Sequence, residues 1–244
     1  MGIEGLTQLD LIHGILGLIS LTVSFASGIK IASSYFKYKQ IELLTVGLVL
    51  IFVSSGWWGA TTAFILYLLF DIEISDFLYI FISYTFLSVS LLFWLFSFCH
   101  LVYPNSKWII VSIFLAISII YEIFFIYFLF KDPSILVIRI TRFDSETQPF
   151  VSLYVVFELL ITIITNIIFF SKSSKSDDAR IRWKGRFIFL ALILFVTGAV
   201  LDSIIVLSET MLFITRSLLM LSAVINYIGW IMPDRVARWL IKER

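Results

Sequence analysis

Five ionisable residues interrupt the apolar stretches of this chain, and they are the side chains best placed to do chemistry. Along the sequence they are His13, Glu122, Glu158, Asp202 and Arg216. Each lies at about the same distance from one end of its apolar stretch. Charge inside a membrane span is costly, so residues of this kind usually mark binding or transport sites. We therefore predict that this layer contains a ligand-binding site.

Asp202 and Arg216 are spaced to form an ion pair. Asp202 lies seven residues before Glu209, and Arg216 lies seven residues after it. If Glu209 is at the turn between two antiparallel helices, both side chains lie about 10 Å from that turn at 1.5 Å per residue. Pairing is the least costly way to bury both charges. The pair could equally serve only to hold the two helices together.

Glu122 and Glu158 have no obvious basic partner other than Arg216, and His13 is the only further candidate. We expect at least one of these carboxyls to be protonated, hydrated or facing a bound cation. A neutral acid with no further role is one interpretation. The other is a water-accessible pocket, open to the outside, whose acids bind a cationic or hydroxylated ligand or relay protons.

Aromatic residues could line such a pocket. Trp57 and Trp58 fall near the middle of the second apolar stretch, away from the membrane interfaces where Trp is usually found. Tyr84 and Tyr121 lie in the same half of their stretches as the ionisable layer. The alternative interpretation is that these rings only pack between helices.

Composition places the layer in a membrane domain. Hydrophobic residues make up 60% of the 244 residues and charged residues only 14%, whereas soluble domains are nearer half apolar and a quarter charged. A span needs roughly 20 apolar residues. We predict an all-α, polytopic bundle of seven transmembrane helices as one domain, residues 1–232, with spans at about 8–35, 41–70, 75–102, 107–130, 150–171, 185–208 and 210–232.

The distribution of Lys and Arg predicts the orientation of the bundle. Fourteen of the 18 lie in segments on one side of the spans, and four lie on the other side or within a span. An excess of basic residues marks the cytoplasmic side. We therefore expect a multi-pass protein of the cell membrane with its N-terminus outside and its C-terminus in the cytoplasm. The basic residues border spans rather than forming a domain, so nucleic-acid binding is not expected.

Three segments outside the spans have distinctive content. Residues 131–148 are rich in β-branched residues and predict either a short hairpin, which could cover the outer mouth of the bundle, or an irregular extension of the fourth helix. Residues 172–186 are polar and basic, which is typical of a loop near anionic lipid headgroups and could also form a docking site. Residues 233–244 alternate basic and apolar positions and predict a short amphipathic cytoplasmic helix.

Several classes of protein lack support in the sequence. Intramembrane zinc hydrolases need clustered ligands, and His13 and His100 are far apart; these two residues also cannot share one haem. The seventh stretch, Thr215 to Asn226, has no lysine that could hold retinal. We see no nucleophile with a neighbouring base and no nucleotide motif. We expect no enzyme activity, catalytic residue, metal site or cofactor.

The last span ends in Tyr227-Ile-Gly-Trp-Ile-Met-Pro-Asp-Arg, followed by a basic and aromatic stretch. With seven spans in this orientation, the chain resembles the seven-helix sensory modules at the N-terminus of some archaeal and bacterial histidine kinases. The resemblance covers the general layout and this one motif, and it transfers no site residues. In those proteins the seventh helix continues into signalling domains, whereas this sequence stops shortly after it.

These observations favour a receptor-like membrane sensor. Its ligand would enter from outside and bind near the ionisable layer, and the change would reach Arg180–Arg186 and the C-terminal tail. Signalling would then require a separate cytoplasmic partner or a homo-oligomer in the lipid bilayer. One alternative is a transporter or channel for protons, cations or small solutes that uses the same acids. A second is a non-catalytic subunit of a larger membrane complex.

Overall fold

The computed structural model describes residues 5–204 and 208–241, and within them it contains seven helices long and apolar enough to cross a membrane. The all-α, seven-helix architecture expected from the sequence is thereby confirmed. Residues 242–244 of the predicted tail lie outside the described residues. These seven helices, which we call spans, are Gln8–Tyr38, Ile41–Phe70, Asp76–Val102, Pro104–Lys131, Pro149–Ser174, Ala179–Ser203 and Glu209–Ile231.

Two of the spans are divided into shorter helices, so the helical elements outnumber the spans. In chain order the α-helices are α1 (Gln8–Tyr38), α2 (Ile41–Val53), α3 (Trp58–Phe70), α4 (Asp76–Tyr84), α5 (Leu87–Val102), α6 (Lys107–Lys131), α7 (Pro149–Ser174), α8 (Ala179–Ile204), α9 (Glu209–Ile231) and α10 (Asp234–Leu240). Short 3₁₀ turns lie at Ser54–Trp57, Pro104–Ser106 and Pro133–Ile135.

The break in the second span lies where the sequence reads Ser-Ser-Gly. The 3₁₀ turn Ser54–Trp57 separates α2 from α3, and the Ser54 hydroxyl donates to the Ile51 carbonyl at 2.7 Å. Serine competes with the helix for its own backbone groups, and glycine lowers helix propensity, so a break at this position is physically reasonable. Trp57 is the last residue of this turn.

The sixth span begins at Ala179, six residues before the start expected from hydropathy alone. Asp178 explains the difference, because its carboxylate accepts the Arg180 amide at 2.7 Å and its carbonyl accepts the Arg182 amide at 3.1 Å. This is the bonding of a helix N-cap. The basic stretch after it is therefore helical.

Six of the spans form a closed ring. Helix α1 packs against α2 and α9, α9 packs against α8, α8 against α7, α7 against α5, and α5 against α2. Helix α6 packs mainly against α5 and lies outside the ring. Gly28 and Gly47 allow close approach of α1 and α2, because a Cβ at Gly47 would lie only 2.5 Å from the Gly28 carbonyl oxygen.

Residues 132–148, the hairpin lid, cover one end of the ring. Strands β1 (Val137–Arg139) and β2 (Ser145–Thr147) pair antiparallel, with Val137 opposite Thr147, which confirms the hairpin alternative from the sequence. We name this end of the bundle the hairpin end, and the opposite end, from which α10 leaves, the tail end. The buried side chains form one core cluster beneath the lid and a second towards the tail end.

Candidate functional site

Arg216 and Asp202 form a buried ion pair near the hairpin end. Arg216 on α9 is only 2% exposed, and its Nη1 lies 3.2 Å from Oδ2 of Asp202 on α8. The pairing predicted from their spacing across the last helical hairpin is confirmed. Helices α8 and α9 make the most extensive contact in the bundle, which holds the two side chains at the same depth.

The Asp202 carboxylate also accepts hydrogen bonds from two neighbours. Trp57 donates its indole N–H to Oδ2 at 2.8 Å, and the Thr215 hydroxyl donates to Oδ1 at 3.1 Å. The Arg216 guanidinium carbon lies 5.5 Å from the centre of the Trp57 ring, within cation–π range. Trp57 therefore joins the second span to the sixth and seventh across the centre of the ring.

His13 on α1 completes this group. It is buried, and its Nε2 lies 3.3 Å from Arg216 Nη2. Because a guanidinium only donates hydrogen bonds, the His13 nitrogen must be the acceptor, so the ring is neutral in this arrangement. Four of the predicted site residues thus meet in one place, which we call the arginine cluster: His13, Trp57, Asp202 and Arg216.

A small cavity lies beside the arginine cluster, directly beneath the lid. Its walls are His13, Gly14, Gly17, Trp57, Ala60, Thr61, Phe143 and Arg216. The space open to the centre of a water molecule is about 10 Å³, which is about the volume needed for one water. We name it the outer cavity.

Two residues that line the outer cavity have polar atoms without a hydrogen-bond partner within the described chain. These atoms are Arg216 Nε and Thr61 Oγ1, both buried. Arg216 Nη1 is also unsatisfied, since its 3.2 Å contact with Asp202 lacks the geometry of a hydrogen bond. The ion pair therefore leaves part of the guanidinium free to bind something else.

The tip of the lid forms the roof of the outer cavity. Phe143 is only 2% exposed and packs edge-on against Phe64, with 5.8 Å between ring centroids. The neighbouring Arg142 holds the tip in place, donating to the Tyr67 hydroxyl at 2.9 Å and pairing with Glu73 at 2.7 Å. In this structure the lid is closed.

Asp144 follows Phe143 at the lid tip and is partly buried. Burial raises the pKa of the Asp144 carboxyl above its ordinary value, and Asp202 raises it further, whereas the Ser145 amide and Arg216 lower it. The lid therefore brings a second carboxyl into the electrostatic field of the arginine cluster.

Glu122 and Glu158 lie elsewhere. Glu122 on α6 accepts a hydrogen bond from the Ser88 hydroxyl at 2.6 Å, while Glu158 Oε1 on α7 is buried without a partner. Among the described residues, no hydrogen bond or ion pair joins either carboxyl to Arg216. The sequence placed all five ionisable residues in one layer, but the structure separates these two from the arginine cluster.

The four aromatic residues predicted to line the pocket also lie in different parts of the bundle. Trp58 donates to Ser54 at 3.1 Å and packs against Phe25 and Phe86, away from the arginine cluster. Tyr121 stacks on Tyr154, with 3.6 Å between ring centroids, beside the two glutamates. Tyr84 is buried in the core beneath the lid. Of these aromatic residues, only Trp57 belongs to the arginine cluster.

A second cavity continues from Trp57 towards the tail end. Its walls include the four serines Ser20, Ser24, Ser54 and Ser222. Apolar residues of α1, α2, α8 and α9, together with Trp57, form the rest. The space open to the centre of a water molecule is about 20 Å³. We name it the central cavity, and Trp57 borders both cavities.

Several basic residues at the tail end make contacts within the chain, although Arg180 and Arg186 remain exposed. Arg180 donates to the Met232 carbonyl at 2.9 Å and pairs with Asp234 at 3.3 Å. Arg186 is exposed and lies over the Trp183 ring at 4.6 Å. On α10, Trp239 is 81% exposed.

Protein-family models, curated proteins and solved structures give no match to this chain. Its site is therefore interpreted from its own geometry. The described residues contain no group of three His, Cys, Asp or Glu side chains that could hold a metal ion.

Sequence reasoning missed Thr61, Phe143 and Asp144. Thr61 gave no signal because a threonine within a span usually only bonds its own helix. Phe143 and Asp144 follow a run of β-branched residues that predicts a hairpin. An apolar residue at the turn of such a hairpin is a candidate for insertion into the bundle, and Phe143 is that residue.

Proposed function

We propose that this protein is a receptor-like sensor in a membrane, working by binding rather than by catalysis. The observation that carries the proposal is the junction beneath the lid. There, the hairpin lid, a small cavity and an incompletely bonded Arg216 come together. A molecule that replaced Phe143 or engaged Arg216 would change the contacts between α1, α8 and α9 at once.

The proposed orientation places the hairpin end outside and the tail end in the cytoplasm. Basic residues concentrate at the tail end, which supports this assignment through the positive-inside rule. The outer cavity would then be accessible to external molecules when the lid opens.

Helix α9 provides a route from the arginine cluster to the tail end. Beyond Arg216, its residues Leu219 and Ser222 face the central cavity, and Ser222 bonds the Ala191 carbonyl of α8 at 2.8 Å. At the far end, Arg180 of α8 holds the end of α9. A displacement of α9 at Arg216 would therefore strain the contacts that fix α10.

The tail end offers a surface for a cytoplasmic signalling partner or a second copy of the chain. Arg186, Arg235, Arg238 and Trp239 are exposed there. Arg180 and Arg182 lie in the predicted docking segment but are engaged with backbone carbonyls. We therefore place the contact on Arg186 and α10.

Hydrogen–deuterium exchange of the full chain in lipid nanodiscs tests this proposal. Phe143→Ala removes the roof of the outer cavity, and Ile138→Ala, at a position 45% exposed on the same hairpin, is the matched control. We expect Phe143→Ala to increase exchange in the lid and also in residues 175–186 and α10, with no such change in the control. An increase confined to the lid would contradict the sensor.

Transport of a proton or small solute is a second candidate function, because the central cavity continues from the arginine cluster towards the tail end. Its serines extend the polar lining inward from the arginine cluster, and Trp57 separates the two cavities. Flux measurements in proteoliposomes test this alternative. Uptake driven by a proton or solute gradient and lost in Trp57→Ala, but kept in Trp58→Ala, would favour transport over sensing.

A further inference from the structure

Two residues of the outer cavity have hydrogen-bonding atoms that no atom of the described chain satisfies. Arg216 Nε and Thr61 Oγ1 have no partner, both residues line this cavity, and Arg216 and Thr61 are 2% and 3% exposed. Buried polar groups are nearly always hydrogen-bonded, either within the protein or to a bound molecule. A bound molecule in the outer cavity would satisfy both.

The charges around the cavity indicate which kind of molecule fits. Asp202 already balances the charge of Arg216 at 3.2 Å. His13 faces the guanidinium as a neutral acceptor. An anion would therefore enter a region where the guanidinium already has its counter-charge, and a cation would meet the guanidinium itself. An uncharged molecule avoids both costs.

We propose that the outer cavity is a binding site for a small uncharged molecule that accepts hydrogen bonds through oxygen, and that water fills it while the lid is closed. The Arg216 Nε–H and the Thr61 hydroxyl are the donors. This inference deepens the proposed function, since the signal molecule would displace that water. The hydrated site itself requires no signalling.

Gly17 makes the site testable without disrupting the fold. A Cβ at Gly17 would contact only Thr61 Oγ1, at the ordinary distance of 3.4 Å. Gly17→Ala therefore places a methyl group beside the Thr61 hydroxyl, inside the cavity. Gly56→Ala is the matched control, because a Cβ there meets no atom within 4 Å.

Hydroxyl-radical footprinting of the full chain in nanodiscs tests for the water. Radicals formed from bound water label adjacent side chains, and mass spectrometry reads the label at each tryptophan. Trp57 borders both the outer and the central cavity, and Trp58 borders neither. Gly17→Ala assigns the label to the outer cavity because Gly17 lines that cavity alone, and exposed Trp239 serves as the reference. We expect several-fold stronger labelling of Trp57 than of Trp58, reduced in Gly17→Ala and unchanged in Gly56→Ala. Equal labelling of the two tryptophans, or no effect of Gly17→Ala, would overturn the hydrated site.

Formamide and formate then test the charge of the ligand. They have similar size and shape, and only formate is charged. We expect formamide to protect Trp57 from labelling, relative to Trp239, more strongly than formate at the same concentration. Equal or stronger protection by formate would refute the uncharged class. Loss of the coupling between lid and tail end, with the footprint intact, would instead reject the sensor and retain the site.

Discussion

The ion pair between Asp202 and Arg216 predicts a strongly non-additive pair of substitutions. Asp202→Asn keeps the size of the side chain but leaves the buried guanidinium without a counter-charge, facing only neutral acceptors such as His13. Breaking a buried pair on one side costs about 3–5 kcal/mol, and we expect Asp202→Asn to lie in the upper part of that range. Arg216→Met should cost less, about 2–3 kcal/mol, because the carboxylate keeps Trp57 and Thr215 as donors.

The double variant separates this account from simple loss of packing. Asp202→Asn with Arg216→Met leaves no unpaired charge, and replacing a buried pair by uncharged side chains is often nearly neutral. We expect the double variant to be more stable than either single variant. The coupling free energy between the two substitutions should be about 3 kcal/mol or more, which is at or above the upper limit usual for contacting residues. Reversible unfolding in mixed detergent micelles, followed by circular dichroism, measures all four proteins. Additive costs would refute the buried pair.

Three further outcomes follow from the structure. Phe143→Ala should destabilise the closed lid by about 3 kcal/mol, the lower part of the range for a buried Phe, seen as faster proteolysis of the hairpin. Asp144 has a pKa raised above 3.8 mainly by burial, so the closed lid binds its proton more tightly than the open lid. Closure should therefore weaken as the pH rises from 3.8 through the raised pKa, and Asp144→Asn should abolish that dependence in exchange measurements. Gly47→Ala should cost about 1–3 kcal/mol in detergent unfolding because its Cβ meets the Gly28 carbonyl, whereas Gly56→Ala should have little effect.

The spans and the ion pair could be predicted from the sequence because both depend on position along a helix axis. Hydropathy gives the depth of each residue, and equal spacing from Glu209 placed Asp202 opposite Arg216. The same reasoning put Glu122 and Glu158 at a similar depth. It could not show that α6 lies outside the ring, because the rotation and order of the helices depend on packing between distant segments.

Local breaks and insertions were harder to predict. Ser54–Trp57 forms a turn inside a span, and hydropathy averaged over a window does not register it. Trp57 at the end of this turn bonds Asp202, whereas Trp58 at the start of α3 bonds Ser54. The insertion of Phe143 also depends on Phe64 and Tyr67 of α3, against which its ring packs, and no feature of the hairpin sequence reveals that contact.

The central claim is that a structural change at the arginine cluster alters the arrangement of the helices at the tail end. Double electron–electron resonance tests it most directly, with spin labels at Ile181 of α8 and Trp108 of α6, both exposed near the tail end. Cys99 is fully buried and should stay unlabelled. We predict that Arg216→Met shifts or broadens the distance distribution in nanodiscs, while Trp58→Phe does not. A distribution in Arg216→Met identical to that of the unsubstituted chain would contradict the account.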